Sequence, residues 1–139
     1  MSATRHLHEE AMAIAAEAFV AQQTGDNERY LSLTKEALDK EKAAAWRLFH
    51  KMEAEPTRSV LFRSAAQLAF NYGEIREAEQ LLSAALAGNP PGEILLELRA
   101  LYMEVLKVLE EGAWDWRLGS KTKSLVQTKY LQIHLDAGN

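Results

Sequence analysis

Along most of this chain, apolar positions recur at the i, i+3, i+4 spacing of a helix face, and glycine and proline break the pattern. The breaks fall at Gly25, Pro56, Gly73, the run Gly88-Asn89-Pro90-Pro91-Gly92, Gly112 and Gly119. Five helical segments lie between them. The first, about Thr4 to Gln23, places Leu7, Ala11, Ile14, Ala15, Ala18 and Ala21 on one stripe. Ala16, Phe19 and Val20 widen that stripe, which predicts contact with two neighbours. Gly25-Asp26-Asn27 reads as a tight helix–helix turn. The second segment, about Glu28 to Glu53, has no internal breaker. Its stripe is Tyr30, Leu33, Ala37, Leu38, Ala44, Ala45, Leu48 and Met52, while Lys35, Glu36, Asp39, Lys40, Glu41 and Lys42 are expected on the outer side.

Pro56 suits the first turn of a third helix, where its missing N–H is harmless. That helix is expected to run to Tyr72 and end at Gly73. The fourth, Glu74 to Ala87, carries Ile75, Ala78, Leu81, Leu82, Ala85 and Leu86, and Gly88 fits the position just past its end. The fifth, about Pro91 to Glu111, is strongly apolar through Ile94, Leu95, Leu98, Leu101, Tyr102, Val105 and Leu109. Its further apolar residues, Leu96, Met103, Leu106 and Val108, predict a second buried face or a contact with another chain.

The character changes after Gly112. Leu131-Gln132-Ile133-His134-Leu135 alternates with period two among β-formers, which favours an extended or β tail over a sixth helix. Residues 112–139 carry four basic and two acidic side chains, so the +2 tail contrasts with a −6 body. The expected organisation is a helical domain over 1–111 and a docking or dimerisation tail over 112–139.

Composition narrows the class. Alanine (22) and leucine (20) far outnumber valine plus isoleucine (nine), which favours helix because Ala and Leu lose little rotamer freedom there. A net charge of −4 argues against nucleic-acid binding, which needs a basic surface. The lack of cysteine excludes disulfides, thiolate metal sites and thiol catalysis. No apolar run reaches the length of a membrane span or a signal-peptide core, so a cytoplasmic location without membrane partners is expected.

The block Ser59 to Gly92 is 34 residues long, and its residues carry a family pattern. Gly73-Glu74 sits at an inter-helix turn, Ala78 and Ala85 at small positions of the second helix, Leu82 at a bulky one and Pro90 at a closing proline. Phe62 stands where an aromatic is preferred. In these respects the chain resembles the tetratricopeptide repeat (TPR), most closely over 59–92. It departs from it at Ala65 and Ala69, where the family has Leu and Tyr, and at Tyr30, which replaces a small residue. Gly25 lies 48 residues before Gly73 rather than 34, implying a second helix about three turns longer than standard. The fifth helix resembles the capping helix of such arrays. Two other architectures fit: an unrelated bundle of antiparallel hairpins, and, for residues 5–53, a hairpin of the microtubule-interacting-and-transport type.

The fold expected is therefore all-α, with about five antiparallel helices stacked as TPR-like hairpins. The resemblance implies a concave groove lined by the first helix of each pair, and in the best repeat this places Val60, Arg63, Gln67, Phe70 and Asn71 on the groove. Arg63 would fork onto a carboxylate, Gln67 and Asn71 would bond an extended backbone, and Phe70 would hold an apolar side chain. Some of these could equally pack against the long second helix. Arg63 and Gln67 replace the Lys and Asn pair with which some family members clamp a C-terminal carboxylate.

Catalytic and metal chemistry find little footing. His6 and Glu10 are i, i+4 neighbours, but acidic residues in a first turn already complement the helix dipole. His50 is expected to serve the end of the second helix in the same way. No histidine follows an Arg at the five-to-seven-residue spacing of small helical ribonucleases, and no phosphate loop, nucleophile elbow or HExxH occurs. No catalytic residue, metal ligand or cofactor is assigned. Trp114 and Trp116 read either as packing under the array or as aromatic anchors for docking. The leading functional expectation is a non-enzymatic module that binds a peptide or partner protein. The alternatives are homodimerisation through the fifth helix and tail, and a regulatory partner of a small toxin.

Overall fold

Residues 2–111 are described by the computed structural model and form five helices joined by short turns. They are α1 (Ser2–Gln23), α2 (Asn27–Arg47), α3 (Thr57–Tyr72), α4 (Ile75–Leu86) and α5 (Gly92–Glu111). No strand occurs among the described residues, so the all-α class stands. The tail, with Trp114, Trp116 and its alternating segment, lies outside the described residues.

Local chemistry explains most of the boundaries. Gly25 turns the chain at φ +82°, in the left-handed region that glycine reaches without a steric cost. Asp26 then caps α2 by accepting the Arg29 N–H at 3.1 Å. Gly73 closes α3 at φ +99°, and its N–H reaches the carbonyls of Ala69 and Phe70.

The second helix is shorter than its periodicity predicts. It ends at Arg47, and residues 48–56 make turns instead of extra helix. The reason lies elsewhere in the chain. Had the helix continued, the Phe49 carbonyl would accept from within its own ladder. Instead it accepts from Arg58 Nε at 3.0 Å. Met52, expected on the buried stripe, is consequently exposed. Pro56 also moves, from the first turn of α3 to the cap position after a cis Glu55–Pro56 bond. Glu55 supplies the cap itself, accepting the Ser59 N–H at 2.9 Å and its hydroxyl at 2.7 Å.

Neighbouring helices pack as antiparallel hairpins, α1 on α2 and α3 on α4. α2 also packs on α3, and α5 packs on α4 and α3. This order puts α1, α3 and α5 on one side of the molecule and α2 and α4 on the other. The crossings are built from alanine: Ala37, Ala44 and Ala45 on α2, Ala65, Ala66 and Ala69 on α3, and Ala78 and Ala85 on α4 are fully buried. Small side chains let the backbones approach, and Leu38, Phe62, Leu82 and Leu98 fill the space beside them.

Two expected second faces are only partly covered among the described residues: on α5, Val108 packs against the core while other positions stay open. On α1, Phe19 and Val20 are 60% and 59% exposed, so these two residues supply no contact with a second neighbour. On α5, Leu96 and Met103 are 66% and 68% exposed.

Candidate interaction groove and its buried supports

A groove of about 510 Å³ runs between α1, α3 and α5. Met12 and Ala15 line it from α1, Arg63, Ser64, Gln67 and Leu68 from α3, and Glu97, Leu101 and Glu104 from α5. Its base is apolar and its rims are charged. The Arg63 guanidinium donates to the Glu97 carboxylate across it, and Gln67 Nε2 donates to Asn71 Oδ1 at 2.9 Å.

The five groove positions expected from the sequence therefore separate. Arg63 and Gln67 line the groove. Asn71 is half-buried beside them as the partner of Gln67. Val60 lines a different pocket, of about 500 Å³, between the amino-terminal halves of α1 and α3. Phe70 does not face the groove at all: it is buried in the main core, where a large ring packs more favourably than on an open rim.

Behind the Val60 pocket lies a buried carboxylate. Glu41 is completely inaccessible, although its place among charged neighbours predicts the outer face of α2. Both its oxygens lie against His8 Nδ1, at 3.0 and 2.9 Å. Burial raises the Glu41 carboxyl above its ordinary range, while hydrogen bonds from His8 and Ser64 act in the opposite direction. A signal for this burial is present in the sequence. Thr34, Ala37, Leu38, Glu41, Ala44, Ala45 and Leu48 are one i, i+3, i+4 stripe, and all are buried.

The second buried charge is Arg58, which continues the α3 stripe of Leu61, Phe62, Ala65 and Ala69. Its guanidinium donates to the carbonyls of Phe49 (3.0 Å), Ala84 (2.9 Å) and Ala85 (3.4 Å), and it lies over the rings of Phe49 and Phe62. It ties the α2–α3 connection to the last turn of α4, where the Ala85 carbonyl also accepts the Gly88 N–H. Gly88 follows from this arrangement. A Cβ there would lie 2.2 Å from Arg58 Nη1, so the glycine makes room for the guanidinium, and its φ is not positive. Glu55 adds a further tie by accepting the Asn89 N–H at 3.2 Å.

The other two described histidines, His6 and His50, have simple surroundings. His6 pairs with Glu10 at 2.5 Å, and Lys40 approaches the same carboxylate at 2.8 Å. The hydrogen bond from Lys40 holds Glu10 below its ordinary pKa. His50 does not serve the end of α2, which stops three residues earlier. It lies exposed, edge-on to Phe49 at 4.7 Å. Among the described residues no group of three or more His, Asp or Glu is arranged to hold a metal ion, and no helix is long and apolar enough to cross a membrane.

Comparison with known protein families, with curated proteins and with solved structures finds no match for this chain.

Proposed function

We propose that this protein is a non-enzymatic, cytoplasmic interaction module of TPR-like type whose α1–α3–α5 groove binds an extended peptide segment of a partner protein. The observation that carries this reading is the groove itself. Three helices present an apolar base flanked by Arg63, Gln67, Glu97 and Glu104, the mixture that fixes an extended chain through side-chain pockets and backbone hydrogen bonds. The spacing of the supporting contacts agrees with a 34-residue repeat. Arg63 with Glu97, and Glu55 with Asn89, each join residues 34 apart. A pull-down comparing wild type with Arg63→Glu tests it: the wild type retains a partner that the variant loses. An unchanged partner list overturns the groove reading.

A second reading, self-association through α5, is favoured by the exposure of Leu96 and Met103 on one helix. Light scattering separates the two. A dimer that dissociates in Met103→Glu favours assembly, and a monomer at all concentrations favours peptide binding alone.

A further inference from the structure

The pocket that contains Val60 is chemically unlike the groove. Its volume of about 500 Å³ falls in the range of small-molecule sites, roughly 300–1,000 Å³. Thr4, Arg5 and His8 line it from one face of α1, and Thr57, Val60 and Leu61 from one face of α3. One wall is thus cationic and hydroxylic, and the other mainly aliphatic.

Two of these groups are prepared for an anion. Arg5 makes no ion pair with any described residue, so the donors of its guanidinium fork remain available. The imidazole of His8 is held from behind: both oxygens of the buried Glu41 lie against Nδ1, leaving Nε2 as the ring's other polar atom. In the imidazolium form Nδ1–H faces the Glu41 carboxylate and Nε2–H is the donor left for a ligand, and the ring cannot rotate without losing both contacts. When Glu41 is ionised, its charge behind the ring also offsets part of the cationic wall. A singly charged head group therefore suits the pocket better than a phosphate dianion.

We propose that this pocket binds a carboxylate joined to a short aliphatic chain, with the carboxylate on Arg5 and His8 and the chain against Val60 and Leu61. Such a group belongs either to a free aliphatic acid or to the carboxy terminus of a peptide with an apolar last residue. Only the peptide source rests on the groove reading; the site and its chemistry do not.

The test is a methyl-detected NMR titration of the full chain with hexanoate, hexanamide, and a Gly-Gly-Leu tripeptide in free and amidated forms. Hexanoate is expected to shift the Val60 and Leu61 methyls saturably, and hexanamide to bind about tenfold more weakly or worse, as expected for a lost charge-assisted hydrogen bond. Arg5→Gln, at an exposed site, is expected to weaken hexanoate by about the same factor and leave hexanamide unchanged. If the free tripeptide competes with hexanoate and the amidated one does not, the source is a peptide terminus. If only hexanoate binds, the source is a free acid. Equal binding of acid and amide, unchanged hexanoate affinity in Arg5→Gln, or no methyl shift with any probe overturns the proposal. Because Arg63→Glu leaves this pocket intact, a failed pull-down and a failed titration are separable results.

Discussion

Arg58 and Glu41 are both charged, both wholly buried and both on the inner stripe of a helix, yet their surroundings differ in kind. Arg58 is enclosed entirely by the interior of the fold, by three carbonyls and two aromatic rings. Glu41 meets Ser64 and a half-buried histidine, and that histidine lines an open pocket. A buried charge whose donors are all used inside the fold acts as a brace. A buried charge that orients a group facing solvent prepares a site. Burial alone therefore does not distinguish structure from function; the far side of the partner does.

The largest expected effect comes from breaking the brace. Arg58→Met keeps the volume but leaves the Phe49 and Ala84 carbonyls without donors, and is expected to cost about 3–5 kcal/mol in urea denaturation. A loss under about 1 kcal/mol would show that those carbonyls find water. Gly88→Ala on its own is expected to cost about 1–3 kcal/mol, since the guanidinium is held on several sides and cannot yield cheaply. In the Arg58→Met background that cost should largely vanish, because the clashing atom is gone.

The next effect concerns Glu41 and depends on pH. Burial raises its carboxyl above the ordinary value of 4.5, so the protonated form favours the folded state. That contribution is complete below 4.5 and is lost as pH rises through the folded value. Glu41→Gln stays neutral throughout. Its stability relative to wild type is thus expected to improve from acid to neutral pH, read from urea midpoints. Parallel profiles, or a variant that loses ground as pH rises, would show that the His8 contact outweighs burial.

The smallest effect on stability belongs to the groove. Arg63→Ala removes a solvent-screened ion pair with Glu97 and is expected to change stability by no more than about 0.5 kcal/mol. A larger loss in thermal unfolding would make Arg63 another brace rather than a binding residue.

How much of this is readable in the sequence varies by feature. The stripes of α3 and α4 and the glycine turns locate the hairpins to within a residue or two, since each depends on local propensity. The end of α2 is not readable, because periodicity continues through Met52 while the chain is diverted by Arg58, nine residues past Phe49. The spacing of the repeat that the sequence resembles groups Arg63 with Gln67, and both line the space between α1, α3 and α5. It misplaces Phe70, because the same spacing does not show which side of α3 the core covers.

The sequence by itself determined an all-helical body with alanines at the crossings, through propensity and the 3.6-residue period. Its charge pattern put Glu41 on the outer side of α2 and singled out nothing at Arg58, although both continue stripes that are buried. Only the tertiary structure decided that Arg58 would be closed in by carbonyls of two other segments. It likewise decided that Glu41 would stand behind a histidine from α1. The reason is sequence distance: those partners lie 26 and 33 residues away, beyond the reach of any local pattern, and meet only when the helices stack.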